Sequence, residues 1–444
     1  MAMPLPSLPA LPAAFVWGVS SSAYQVEGAT TEDGRGTSVW DTFAARPGAV
    51  RDGHTAVTAC DHYHRWPEDV ALLKGLGVDA YRFSIAWPRV QPTGAGPANQ
   101  AGLGFYDRLT DGLLEAGITP VPTLYHWDLP QALEDRGGWP ARETAYRFAD
   151  YAAVVAGRLG DRIRDWITLN EPFVHMAFGY ALGYHAPGRT LMLDALPVAH
   201  HQLLGHGLAA QALREHGGRV LIANNCSPVR PATDAPRDLA AAEAYDALHN
   251  RLFNDPLFLG RYPDLSPFGV EGDLGGVVRN GDLAVISAPL DGLGVNYYNP
   301  TVIRAPAAGA VLPFDEAPLD GVPRTAFDWP VVPEGLTDLL LGLTRRYGDA
   351  LPPLTVTENG CSYPGTDDHE RIAFLDAHIR AVADAVAQGA DVRGYFVWTL
   401  TDNFEWAEGY HQRFGLVHVD HATQLRTPKA SYAWYRDVIA AQPR

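Results

Sequence analysis

One feature restricts the possible folds more than any other: eight short apolar segments alternate along the chain with stretches of helical spacing. The segments are residues 15–18, 80–85, 119–125, 165–169, 220–224, 293–297, 354–357 and 392–398. Apolar runs of this length read as strands buried on both faces. Helical patterns over residues 68–75, 103–116, 144–159 and 199–216 make the connections crossovers, so neighbouring strands run parallel. After the seventh strand, Ile372, Leu375, Ile379, Val382 and Val386 recur at helical spacing, with Asp367 and Glu370 placed to cap the start. A last amphipathic segment begins near Pro428 and puts Ala430, Ala433, Trp434 and Val438 on one stripe. Pro428 in its first turn costs nothing, because that position has no helical partner for an N–H. Eight strand–helix units closing on themselves give a (β/α)8 TIM barrel. A doubly wound open sheet is the alternative, but no GxGxxG follows the first strand and no GxxxxGK[ST] occurs anywhere.

A simple barrel uses roughly 250 residues, whereas this chain has 444. The surplus is expected in long loops at the C-terminal face, over residues 185–197, 225–237 and 301–330. The Pro-, Gly- and Ala-rich stretch 301–330 reads as structureless, and such loops usually serve a site. We expect one catalytic (β/α)8 domain over residues 1–444, with the proline-broken residues 1–12 as a short tether. The 34 basic and 51 acidic residues leave a net charge of −17, which argues against a nucleic-acid partner. No apolar run approaches the roughly 20 residues of a membrane span, and the start lacks a basic, apolar leader, so a cytoplasmic protein is expected. Cys60, Cys226 and Cys361 lie far apart and form no CxxC pair. His62 with His64, and His200 with His201, lack a third ligand pattern, so neither a metal nor a cofactor is expected.

Several of the 11 tryptophans adjoin polar groups, as in Tyr125-His126-Trp127-Asp128, Trp398-Thr399 and Glu405-Trp406. Flat apolar faces beside hydrogen-bonding groups suit a sugar. Among 51 acidic residues, Glu171 and Glu358 have a distinct setting: each directly follows an apolar strand, the fourth and the seventh. Singly, either could be a strand-end carboxylate paired with an arginine. A barrel, however, converges its strand ends on one crevice, where two carboxylates can divide acid and nucleophile work. A gap of about 5–5.5 Å suits direct attack, and about 6.5–9.5 Å leaves room for water; spacing in sequence leaves both open.

The chain resembles glycoside hydrolase family 1, the retaining β-glucosidase family. The motifs that carry the resemblance run in order from Phe15-Val-Trp-Gly-Val-Ser-Ser-Ser-Ala-Tyr-Gln25-Val-Glu27-Gly28 through Tyr81-Arg82-Phe83-Ser84 and Tyr125-His126-Trp127-Asp128. They continue with Thr168-Leu-Asn170-Glu171-Pro172, Asn296-Tyr297-Tyr298, Thr357-Glu358-Asn359-Gly360 and Trp398-Thr-Leu-Thr-Asp402-Asn403-Phe404-Glu405-Trp406. The resemblance implies Glu171 as general acid/base and Glu358 as nucleophile, with Arg82 and Tyr298 holding the nucleophile. It implies sugar contacts from Gln25, His126, Trp127, Asn170 (to the 2-hydroxyl), Asn296, Trp398, Glu405 and Trp406. Trp329 resembles the tryptophan that stacks on the leaving group, although Asp328 stands where a glycine is expected. Val174, His175 and Phe178 are expected to line that opening. No metal or cofactor is implied. The expected substrates are β-glucosides and cello-oligosaccharides, with β-galactosides, β-fucosides or transglycosylation as alternatives. A charged Glu405 is expected to repel 6-phospho-sugars. A non-catalytic sugar-binding barrel would need neither glutamate.

Overall fold

The computed structural model describes residues 8–443. Its strands, in chain order, are β1 (Val16–Ser20), β2 (Ala80–Ser84), β3 (Thr119–Tyr125), β4 (Asp165–Asn170), β5 (Arg219–Asn225), β6 (Val229–Pro231) and β7 (Gly292–Asn296). There follow β8 (Thr301–Arg304), β9 (Asp315–Ala317), β10 (Leu354–Asn359), β11 (Val392–Trp398), β12 (Val417–Asp420) and β13 (Leu425–Pro428). The eight strands β1, β2, β3, β4, β5, β7, β10 and β11 close into a barrel in that order, and every barrel pair is parallel. They are the eight apolar segments of the sequence, each shifted by no more than a residue or two at its ends.

Two packed regions hold the barrel. Inside it, Ala80, Val121, Ile167, Leu221, Ala223 and Phe396 form one apolar plug. Phe396 fills the axis because Gly18 makes room: a Cβ there would lie 2.2 Å from the ring. Outside it, long helices lay apolar stripes on the strands, among them Gln100–Glu115, Glu143–Leu159, Pro333–Tyr347 and His369–Ala387. The helix Leu196–Glu215 is buried on most of its surface, His200, His201, Gln202 and His206 included, because it packs between Glu143–Leu159 and a further short helix, Asp282–Ile286.

Three expectations need correction. The stretch 301–330 is not structureless: β8 pairs in parallel with β6 and antiparallel with β9, giving a small sheet beside the barrel mouth. Pro428 is not in the last helix; it ends β13 opposite Val417, and the helix runs Ala430–Ala441 behind Lys429. Its buried face is Ser431, Tyr432, Tyr435 and Ile439, one residue round from the expected stripe. Neither Asp367 nor Glu370 caps the helix His369–Ala387. Asp368 stands at its N-cap and spends its carboxylate on Arg371 and Ser431. Residues 1–7 of the expected tether lie outside the described residues. Leu11 is buried, and its N–H donates to Gln442 Oε1 at 3.0 Å.

Candidate active site

Strand register assembles the site. At the C-terminal ends, Asn225 stands beside Asn296, and Asn296 beside Glu358. On the other side of the barrel, Trp398 pairs with Ser20, and Ser20 with Arg82. Glu171 is the first residue beyond β4 and is tied to the barrel by its N–H, which donates to Ala223 O at 2.8 Å. Its φ of 44° lies in the left-handed region that non-glycine residues seldom adopt, as do those of Trp127 (77°) and Trp406 (49°). Such backbone strain gathers where surrounding structure must aim a side chain.

Glu358 is 3% exposed and gripped on both oxygens. Arg82 Nη1 donates to Oε1 at 2.5 Å, and the Tyr298 hydroxyl donates to Oε2 at 2.8 Å. Arg82 is itself fully enclosed: Nε donates to Thr123 Oγ1 at 3.1 Å, and Nη2 to Asn170 Oδ1 at 2.6 Å. A buried guanidinium with this many fixed partners keeps its fork in one orientation. Burial raises the Glu358 pKa, and Arg82 and Tyr298 work against that rise. Glu171 has amide donors but no arginine. Asn296 Nδ2 and Asn225 Nδ2 donate to its Oε1 at 3.0 and 3.2 Å. Burial, and secondly the charge on Glu358, push its pKa up to about 8. Burial thus raises both carboxyls, and only Glu358 has a guanidinium and a phenol in direct contact to oppose the rise.

The remaining expected residues divide by depth. His126, Trp127, Trp329, Trp398, Glu405 and Trp406 line a cavity of about 730 Å³ together with Glu171, Glu358 and Tyr298. Gln25, Asn170, Asn296 and Arg82 stand behind that lining, and each is fully buried. Asn170 holds Arg82 and faces His126 Nε2 through its Nδ2 at 2.9 Å. Asn296 receives Thr357 Oγ1 on its own oxygen at 2.7 Å while serving Glu171. Gln25 donates to the Phe404 carbonyl at 3.0 Å and to Glu405 at 3.2 Å. The Trp127 N–H is committed to the Asn170 carbonyl at 2.8 Å, so only its ring faces the cavity. His126 lines the cavity, and its Nδ1 is buried without a protein partner. The ring of Trp406 is fixed against Trp40 and Trp127, with centroids 4.6 and 4.7 Å away.

Of the three residues expected beside the leaving group, Val174 and Phe178 line the cavity, but His175 does not. It points into the core, where its Nε2 lies 2.9 Å from the Tyr125 hydroxyl. Asp328 explains its own exception: its φ is 58°, a conformation that favours glycine, and its side chain is 86% exposed. It pairs with Arg324 and is absent from the cavity lining, so Trp329 reaches the cavity unobstructed. Glu405 lies beside Gln25, whose Nε2 donates to the Glu405 Oε2 at 3.2 Å. Burial, and then Glu358, push the Glu405 pKa up to about 8. No lysine or arginine lines the cavity among the described residues. Asn225, His249 and the apolar residues from helices beyond β4 and β5 were not legible as site residues, because their partners are distant in sequence.

The sequence matches Glycosyl hydrolase family 1 over residues 8–443. It is 50% identical over 438 residues to the thermostable β-glucosidase B of Thermobispora bispora, covering 96% of this chain and 90% of that one. Among solved structures, a psychrophilic β-glucosidase from Micrococcus antarcticus superposes with a TM-score of 0.94 at 46% identity, over 98% of each chain. A Thermotoga maritima β-glucosidase in complex with deoxynojirimycin gives 0.92 at 40% identity, over 97% of this chain and 98% of that one. The barrel, the paired glutamates and this coverage agree: the chain belongs to glycosyl hydrolase family 1 and is a glycosidase.

Proposed function

We propose that the protein is a retaining β-glucosidase that removes terminal non-reducing β-D-glucosyl residues from aryl and alkyl β-glucosides and cello-oligosaccharides. The observation that carries this reading is the unequal support of two glutamates. Glu358 is held by a guanidinium and a phenol, while Glu171 sits among neutral amides. In the first step Glu171 gives its proton to the glycosidic oxygen as a Glu358 oxygen attacks the anomeric carbon. The carbon–oxygen bond breaks, the alcohol departs, and a glucosyl ester of Glu358 remains. Esterification removes the charge on Glu358 that had raised the pKa of Glu171, so Glu171 becomes the stronger base. It then takes a proton from water, whose oxygen bonds the anomeric carbon and frees Glu358. Arg82 and Tyr298 serve as the fixed charge and dipole that receive the carboxylate again.

Gln25, His126, Asn170, Trp398, Glu405 and Trp406 are assigned to the glucosyl unit. Asn170 supports the 2-hydroxyl, where contacts strengthen in the oxocarbenium-like transition state. The reaction needs no metal or cofactor in this account, and the protein is assigned to the cytoplasm. The test is proton NMR of the first product formed from an aryl β-glucoside. Two displacements leave β-glucose before mutarotation, whereas α-glucose as the first anomer would overturn the mechanism.

A further inference from the structure

Of the 34 basic residues, only Lys74 and Lys429 are lysines, and Lys429 is fully enclosed. Its Nζ donates to Asp402 Oδ1 at 2.7 Å, and both side chains are buried completely. Burial pushes the Lys429 pKa down to about 8, with Asp402 opposing the fall. Asp402 has further partners: the Gly415 N–H donates to the same oxygen at 3.0 Å, and His418 Nδ1 faces Oδ2 at 3.2 Å. Backbone ties both residues to one neighbouring segment. The Asp402 N–H donates to the Val417 carbonyl at 2.9 Å, and the Lys429 N–H to the Leu416 carbonyl at 2.9 Å. A Cβ on Gly415 would stand 2.1 Å from the Asp402 nitrogen, so the two chains touch with no room between them. A guanidinium is wider and brings five N–H groups, whereas this slot offers one carboxylate that is already shared. That accounts for a lysine in a chain that uses arginine almost everywhere else.

Just beyond Asp402 the chain reaches Glu405 and Trp406, both in the cavity lining. Residues 402–405 belong to no helix or strand, so no ladder of backbone hydrogen bonds fixes their path. The far end of this stretch is held by Gln25. Its carbonyl accepts from the Phe404 N–H at 3.1 Å, and its Nε2 donates to Glu405 at 3.2 Å. The near end is held by Lys429. A buried charge without its partner is costly, so the ammonium and the carboxylate stay together, and the root of the stretch stays with them. We propose that Lys429 and Asp402 are positioning residues that set where Glu405 and Trp406 meet the glucosyl unit. This rests on the β-glucosidase reading and adds to it a pair that stands outside the cavity lining.

The experiment compares the parent with Lys429→Met, and with Lys429→Met combined with Asp402→Asn. The single variant leaves Asp402 charged and alone, so its melting temperature should fall. The double variant removes that charge and should recover most of the loss. In both, the Ki for glucose against p-nitrophenyl β-D-glucoside is expected to rise about tenfold, as for one weakened hydrogen bond. A role confined to stability would instead let Ki return together with the melting temperature. In a Glu405→Gln background the same substitutions should move Ki by less than about threefold, because the contact they misplace is already weakened. A parent-like Ki in the double variant, or a full tenfold rise on top of Glu405→Gln, overturns the inference. So does a double variant that does not fold, since the pair would then be needed for folding itself. All three leave the glucosidase reading standing, whereas a parent that cleaves no β-glucoside overturns that reading.

Discussion

At the scale of single residues, the site is governed by what each carboxyl lacks. Glu358 has a cation at 2.5 Å and Glu171 has none, although both are buried. This carries a stability cost with a definite sign. The folded-state pKa of Glu171 lies at about 8, above its ordinary 4.5. Between those values the folded chain binds a proton that the unfolded chain has released, so stability falls as pH rises, and the full penalty applies above about 8. Glu171→Gln keeps the shape and an oxygen for Asn296 and Asn225 but cannot ionise. It is therefore expected to raise the melting temperature above that of the parent, by more at about pH 9 than at about pH 5. Calorimetry at the two pH values checks this, and an equal shift at both would show that Glu171 is not held neutral. Both glutamates were legible in the sequence, since each stands at the C-terminal end of an apolar segment, Glu171 just beyond β4 and Glu358 near the end of β10. Asn225 was not: its significance lies in bonds to Glu171 and His249, which only the fold brings near.

At the scale of elements, the barrel strands were legible because burial on both faces leaves short, mostly apolar runs. The small sheet of β6, β8 and β9 was not. Its strands are three or four residues long and half exposed, and β6 pairs with residues some 70 positions away. The last helix misleads for a different reason. Its buried face is carried by Tyr432 and Tyr435, whose hydroxyls donate to the carbonyls of Leu72 and Gly18, so residues with polar tips occupy the core. Where β10 ends beside β11, the two chains approach closely enough to require a residue without a side chain. A Cβ on Gly360 would stand 1.9 Å from the Trp398 carbonyl oxygen, and backbone cannot yield as a flexible side chain can. Gly360→Ala is therefore expected to push the end of β11, and with it the Trp398 ring, away from Glu358. Misplacement on the order of an ångström costs about a hundredfold in rate. Kinetics on an aryl glucoside, with circular dichroism to confirm folding, test this; unchanged kcat/KM would mean that the strand end is free to shift.

At the scale of the whole molecule, the excess of acidic residues does not by itself define the cavity. Of the net −17, the proposed mechanism draws on two carboxyls, and burial raises the pKa of one of them, Glu171, to about 8. The barrel's contribution is geometric: parallel strands bring Arg82, Glu171, Tyr298 and Glu358 to one end although they are scattered over most of the chain. The central claim is that Glu358 attacks and Glu171 protonates. An activated 2-deoxy-2-fluoro-β-glucoside tests it most directly, because the electron-withdrawing fluorine slows both steps while the good leaving group still permits the first. Mass spectrometry after digestion should find one fluoroglucosyl group per chain, on the peptide that contains Glu358. An unmodified chain, or the label on the peptide containing Glu171, would contradict the account.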